Sequence, residues 1–303
     1  MKKILVTGSN GLLGQKIIYK LKSQPAIKLM AASRGANKIN DKGGYNYTSL
    51  DITDKQQVEQ LINSFQPDTI IHSAAMTNVD ACEKQQDECW KTNVDAVQFL
   101  IDALQNLNNN CHFIQISTDF IFDGEKGNYN ENDEPNPVSF YGKSKAEAEK
   151  LVMQSNLRWS IIRTILIYGV IDDRSRSNIV LWVKNSLEQG KEIKVINDQF
   201  RSPTLAEDLA DGTIAVALKE AEGIFHISGE EYFSIDEIAK KVISFFKLDA
   251  SKITYVSSRQ LQQPARRPPK TGFDISKAKR ILDYKPHTFN EGLKIIQQQL
   301  GEK

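Results

Sequence analysis

The segment Tyr141-Gly-Lys-Ser-Lys145 sets a phenol and an amine four residues apart, a pairing suited to proton transfer. On a helix, positions i and i+4 share a face, so both side chains point the same way. Of the nine tyrosines in the chain, Tyr141 is the only one followed by a lysine at that spacing. A free phenol titrates near about 10, too high for useful acid–base work at neutral pH. A neighbouring cation favours the phenolate and is expected to lower that value. Ser117-Thr118-Asp119 closes an apolar run upstream. The Thr118 hydroxyl is placed to hold a carbonyl against the tyrosine proton. Plainer readings exist: Thr118 caps a strand end, and Tyr141 with Lys145 forms a solvated helix pair. The order of these residues behind a glycine-rich turn favours catalysis by Thr118, Tyr141 and Lys145.

That turn is Gly8-Ser9-Asn10-Gly11-Leu12-Leu13-Gly14, set between the β-branched run Ile4 to Thr7 and a helical pattern from Leu12 to Leu21. In a dinucleotide fingerprint, Gly8 permits the tight turn, Gly11 the approach of backbone to pyrophosphate, and Gly14 close helix–strand packing. The helix start supplies free N–H groups and a favourable dipole for phosphate. The alternative is an ordinary strand-to-helix turn with packing glycines. Sites for NAD(H) usually carry an acid at the end of the second strand. This chain has Ala31-Ala32-Ser33-Arg34 there, with no carboxylate expected in reach. Arg34 and Ser33 suit a ribose 2′-phosphate, so NADPH is favoured over NADH, although Arg34 also reads as a solvated loop residue. Asp51-Ile52 follows the third strand and is expected at the adenine edge, unless Asp51 caps a helix.

Short apolar runs alternate with helical patterns, the arrangement of stacked βαβ units around a parallel sheet. Strands are expected over Ile4–Thr7, Ile27–Ala32, Tyr45–Leu50, Thr69–Ser73, His112–Ser117 and Trp159–Leu166. Helices are expected over Leu12–Leu21, from an Asp54 cap to Phe65, over Asp87–Leu107, Tyr141–Met153 and Asn178–Glu188. The fold class is α/β, a Rossmann-type doubly wound parallel sheet. Glu125–Ser139 reads as a long functional loop, and 173–177 as a polar break. Pro264, Pro268 and Pro269 argue against regular structure over Gln260–Thr271.

With 303 residues, 40% hydrophobic and 25% charged, the chain has the balance of a globular protein. A net charge of +1 and no basic stripe argue against nucleic acid as a partner. No apolar run approaches the roughly 20 residues of a membrane span, and no signal peptide is evident, so a cytoplasmic location is expected. Cys82, Cys89 and Cys111 form no Cys-x-x-Cys pair, and the four histidines show no metal-ligand spacing. No metal site is expected.

The motifs together resemble the extended short-chain dehydrogenase/reductases, and within them the dTDP-4-dehydrorhamnose reductases. Besides the glycine turn and Tyr141–Lys145, the resemblance rests on Phe122-Asp123-Gly124, Ala74 to Asp80, Arg163-Thr164, Ile196-Asn-Asp-Gln199, Pro203-Thr204 and Arg267-Pro268. It implies hydride transfer from NADPH to a 4-keto sugar carried on a nucleoside diphosphate. Ala74, Ala75 and Met76 would pass close to the cofactor, and Thr164 and Ile165 would lie beside the nicotinamide. A dinucleotide domain over 1–168, with a return contribution from about 191–228, would join a smaller substrate-binding lobe over 169–303. Thr118, Asp119, Arg201, Pro203 and Arg267 are the positions that would face the nucleotide sugar. The resemblance is compatible with a homodimer. Three departures stand out. Ile165 and Leu166 occupy positions where the family commonly has serine and tryptophan. Arg201 replaces a glycine, and is expected to meet a different anion or a carboxylate such as Asp198. Gln15 and Lys16 stand where some members carry a magnesium-binding glutamate. A sugar-nucleotide epimerase or dehydratase, and a non-catalytic NADP-binding regulatory subunit, use the same scaffold and remain alternatives.

Overall fold

Ile4, Leu5 and Val6 are fully buried in consecutive order, so the strand that holds them, β1 (Lys2–Thr7), is covered on both faces. The structure, a computed structural model, describes residues 1–107, 110–173 and 177–302. After β1 come α1 (Leu12–Leu21), β2 (Ile27–Ser33), β3 (Asn46–Ser49) and α2 (Lys55–Phe65). The Asp54 carboxylate caps α2 by accepting from the N–H groups of Gln56 and Gln57. Next stand β4 (Thr69–His72), α3 (Val79–Lys84), α4 (Gln86–Trp90) and α5 (Ala96–Asn106). The helix expected over Asp87–Leu107 is therefore interrupted: a π turn over Lys91–Asp95 joins α4 to α5. Apolar periodicity alone does not show such a slip. The first half closes with β5 (His112–Thr118), β6 (Gly127–Tyr129), α6 (Phe140–Gln154) and β7 (Arg158–Thr164). Strand β6 lies inside the segment read as a loop; three residues are too few to carry a period.

Beyond β7 the elements shorten. They run β8 (Ile167–Tyr168), α7 (Ile179–Glu188), β9 (Ile193–Ile196), β10 (Phe200–Arg201), β11 (Thr204–Leu205), α8 (Ala206–Lys219) and β12 (Gly223–His226). Then follow β13 (Phe233–Ser234), α9 (Ile235–Phe246), β14 (Ile253–Val256), α10 (Ser258–Leu261), β15 (Lys270–Phe273), α11 (Ser276–Leu282) and α12 (Phe289–Leu300). The polar break falls largely on 174–176, outside the described residues. The proline-rich segment is partly regular, against expectation. Helix α10 takes its first residues and β15 its last, while Pro264, Pro268 and Pro269 stay between them, where no ladder N–H is needed.

Seven parallel strands form the main sheet in the order β12-β7-β5-β4-β1-β2-β3. The chain reverses its winding between β1 and β4, and ligands of such sheets bind at the carboxyl ends of the strands near that point. One face is covered by α1 and α8, where Ile17 and Ile18 pack with Leu209, Ala210 and Val216. The other is covered by α2, α5 and α6 through Val58, Ile62, Leu100, Leu104 and Val152. Each such aliphatic side chain contributes roughly 1.5–3 kcal/mol on burial. The last strand of this sheet, β12, arrives late in the chain and pairs with β7, whereas β9 pairs with β14. A third core gathers Tyr168, Val180, Val183, Val242 and Leu293 from the C-terminal half. Strands β13, β10, β15 and β6 form a separate four-stranded sheet. Among the described residues, no helix is long and apolar enough to cross a membrane.

Candidate active site

The glycine turn closes on itself at the carboxyl end of β1. Gly8 sits at φ +70°, and a Cβ there would lie 2.6 Å from the Ala74 backbone nitrogen. A Cβ on Gly14 would lie 2.4 Å from the Gly8 carbonyl oxygen. Gly11 starts α1 without a side-chain cap, and no acid stands in the first turn, so the opening N–H groups keep their capacity for an anion. A cavity of about 700 Å³ begins here. Its wall takes in Gly8, Asn10, Gly11, Leu12, Leu13 and Gly14, then Ser33, Arg34, Leu50 and Ile52, then Ala74, Ala75 and Met76. It continues to Thr118, Asp119, Phe120, Tyr141, Lys145 and Thr164. Ser9 and Ile165 are fully buried and lie outside this lining, as do Asp51, Arg201, Pro203 and Arg267.

At the far end of the turn, Asn10 organises the loop after β2. Its amide donates to the Ala36 carbonyl at 2.9 Å, and its side-chain oxygen accepts from the Lys38 N–H at 2.9 Å. The Arg34 side chain is 68% exposed and free to turn toward a ligand, yet its Nε stands 3.4 Å from the Asp51 carboxylate. An acid is thus in reach after all. Parallel pairing of β2 with β3 sets Ser33 opposite Ser49 and brings Asp51 across, which local sequence does not display. Burial works against the charge of Asp51, but hydrogen bonds from Thr53 and the Arg34 cation hold its carboxyl below the usual range. The helix cap belongs to Asp54 instead.

Tyr141 and Lys145 face the cavity from the first turns of α6. Ser139 caps that helix by accepting from the Gly142 N–H at 3.2 Å. A Cβ on Gly142 would fall 2.1 Å from the Phe120 carbonyl oxygen, so glycine lets the helix press against the end of β5. Tyr141 therefore lies beside Thr118, whose hydroxyl favours the phenolate, and Phe120, whose ring lies 5.7 Å from its own. Burial pushes the phenol above its ordinary pKa, and the Asp119 charge adds to the rise against the Thr118 bond. The expected lowering by Lys145 is not what dominates. The ammonium donates to the Ile116 carbonyl at 2.7 Å, and burial lowers its own pKa to about 8. A protonated phenol is the form needed to deliver a proton.

Asn93, which sequence reasoning missed, braces this wall. Buried in the π turn, it accepts from the Met76 N–H at 2.8 Å and donates to the Met76 carbonyl at 3.1 Å and the Ser144 hydroxyl at 3.0 Å. The only signal was a polar residue inside an apolar helical pattern. Ser117 and Thr164, at the ends of β5 and β7, carry buried hydroxyls with no partner among the described residues. Both line the cavity. Buried polar atoms normally find partners, so these two await a ligand's polar group. Glycine cradle, uncapped helix start, unpartnered hydroxyls and buried ammonium all fit NADP(H).

The substrate end is built differently. The Asp119 carboxylate accepts from Thr118 at 3.1 Å and Thr271 at 2.5 Å, and faces Arg201 Nε at 3.5 Å. Burial raises its pKa against the pull of Arg201. Arg201 is 3% exposed and so meets a carboxylate, but Asp119 rather than Asp198, which accepts from Ser258. Arg267 grips Asp80 at 3.1 and 2.9 Å. Leu166, at φ +39°, lines the cavity and is fastened by the Thr204 N–H on its carbonyl at 3.2 Å. Among the described residues no cluster of His, Cys, Asp or Glu is arranged to hold a metal.

A parallel sheet with a glycine turn at its switch point and a Tyr–Lys helix at its strand ends defines an extended short-chain dehydrogenase/reductase. More narrowly, the chain belongs to the RmlD substrate binding domain family, whose pattern matches residues 1–301. It is 30% identical to a dTDP-4-dehydrorhamnose reductase of Aggregatibacter actinomycetemcomitans, over 98% of each chain. The solved dTDP-4-dehydrorhamnose reductase of Bacillus anthracis, in complex with NADP, superposes with a TM-score of 0.83 at 27% identity, covering 99% of this chain and 100% of that one. The chain is also 29% identical to methionine adenosyltransferase 2 subunit beta of Rattus norvegicus, over 97% of this chain and 86% of that protein.

Proposed function

We propose that the chain reduces the 4-keto group of a nucleoside-diphosphate sugar, taking dTDP-4-dehydro-L-rhamnose to dTDP-L-rhamnose, with NADPH as reductant. The single observation that carries the reading is the meeting of Thr118, Tyr141 and Lys145 at the inner end of a cavity that begins on the glycine turn. Bound NADPH supplies the hydride. Tyr141, held protonated by burial, delivers the proton to the carbonyl oxygen, and Thr118 keeps that oxygen in line. Lys145 fixes the ribose and favours the phenolate once the proton has left. Asn93 holds the Ala74–Met76 wall at its distance from the ring. Residues 1–168 with α8 and β12 carry the cofactor, and the remaining C-terminal elements close over the sugar.

A second reading, a non-catalytic subunit, is raised by the likeness to the methionine adenosyltransferase beta subunit, but the reductase relatives outweigh it. An epimerase or dehydratase would retain its cofactor, and firmly bound NAD(H) in the purified protein would favour that reading. Tyr141→Phe separates reductase from subunit. Turnover with the 4-keto sugar nucleotide should fall about 10²–10⁴-fold, while NADPH affinity changes by less than about threefold. Equal turnover in variant and parent removes Tyr141 from the mechanism; no NADPH oxidation by the parent favours the subunit. In the active enzyme, kcat/KM should decline above about pH 8, as Lys145 loses the proton that makes it a cation.

A further inference from the structure

We propose that Arg201 and Asp119 act as positioning residues for the reaction: a buried ion pair that fixes the Thr118 hydroxyl in its place beside Tyr141. The inference deepens the reductase reading and rests on it for its kinetic arm. It assigns Arg201 an internal task in place of the expected contact with the nucleotide sugar.

All the nitrogens of the guanidinium face acceptors. NH1 donates to the carbonyls of Phe200 at 2.7 Å and Pro269 at 3.3 Å; NH2 donates to the Pro268 carbonyl at 2.6 Å and to Gln199 at 3.4 Å. Nε is left for Asp119 at 3.5 Å. A planar fork engaged on four other acceptors cannot swing, so the cation is fixed beside the carboxylate. The carboxylate in turn receives the Thr118 hydroxyl at 3.1 Å and the Thr271 hydroxyl at 2.5 Å. A hydroxyl has one proton. That proton rests on Asp119 and the Phe120 N–H donates to the same oxygen at 3.2 Å, so the Thr118 oxygen is held in one place beside the Tyr141 phenol, from which its O–H turns to an incoming carbonyl.

Protonation of Asp119 weakens the acceptor that fixes this position, so the carboxylate form is the working one. The titratable and charged groups around the pair are Tyr141 from α6, Tyr232 beside β13, and Arg267 from the proline-rich segment. Removing the Arg201 charge leaves Asp119 buried without its cation, which moves its protonation to higher pH. The acid limb of kcat/KM must then shift upward, a change that a purely architectural loss does not produce.

The test uses the full-length chain with Arg201→Met, Arg201→Lys and Asp119→Asn. Arg201→Met should lower kcat about 10–100-fold, leave the NADPH dissociation constant within about threefold, and carry the acid limb to higher pH by about one unit or more. Arg201→Lys should restore the limb to its original pH with only part of the rate. Asp119→Asn should lower kcat similarly and abolish the limb. A second arm needs no turnover: the Asp119 carboxyl is titrated by carbon-13 NMR in aspartate-labelled protein, assigned by its loss in Asp119→Asn. A titration that does not move between parent and Arg201→Met overturns the proposal, as does a uniform rate loss at every pH. A titration that moves as expected between parent and Arg201→Met, with a parent that turns over no ketosugar, keeps the pair intact and sinks the reductase reading instead.

Discussion

The two ends of the cavity are made in opposite ways. At the cofactor end, one short stretch folds back on itself: the Gly11 N–H donates to the Gly8 carbonyl at 2.8 Å, and Gly14 packs against the same carbonyl. At the substrate end, the walls come from distant parts of the chain. Asp119 is joined to Thr271, 152 positions away, and Arg267 to Asp80, 187 positions away. The first construction depends on backbone conformation that few residues can supply. The second depends on side-chain pairs, each of which can be exchanged if its partner changes too. One scaffold can therefore keep its cofactor while its substrate end changes.

The sharpest way to break this comparison is a methyl group in the glycine turn. Gly14→Ala places a carbon 2.4 Å from a backbone oxygen that has no room to retreat. NADPH binding should weaken by more than about 100-fold, with roughly 2–4 kcal/mol lost from unfolding free energy. Fluorescence titration and urea denaturation measure the two effects. Binding within about threefold of the parent would show that the cofactor end tolerates change as well as the other does.

The same contrast explains what could be read from the sequence. The strands β1, β2, β4, β5 and β7 carry continuous apolar runs, and Tyr141 and Lys145 share one helix, so each announced itself locally. Asn93 did not, because its importance comes from a π turn that carries it to Met76 and Ser144. Asp51 was placed at the adenine edge, but its approach to Arg34 follows from a strand register that only the assembled sheet fixes. The Tyr141 acidity was misjudged for a related reason. Sequence shows that a cation is near, whereas the degree of burial, which here outweighs it, is a property of the whole fold. Strands β6 and β15 pair with each other over only three residues, and neither has a readable period.

A smaller effect belongs to the adenine end, where the local construction gives way to an exposed side chain. Arg34→Ala should weaken NADPH about tenfold and leave NADH within about twofold, because an exposed charge pair with a phosphate is partly screened. Isothermal titration with both cofactors decides it. Equal losses would mean that Arg34 stacks on the adenine without touching the 2′-phosphate, and the preference for NADPH would then need another residue.

The smallest change probes the substrate end directly. Asp80 holds Arg267 through two hydrogen bonds and also accepts from the Ala265 N–H at 3.1 Å. Asp80→Asn keeps an oxygen for Ala265 but removes the charge and one of the two acceptors that Arg267 uses. The bridge is partly exposed, at 16% and 33% of the two side chains, so its loss should cost no more than about 1 kcal/mol in urea denaturation. If the distributed construction is right, Arg201 with its buried acceptors still fixes Pro268 and Pro269, and turnover should stay within about fivefold of the parent. A loss as large as that of Gly14→Ala would place the whole strength of this end on one exposed pair, and the two ends would no longer differ in kind.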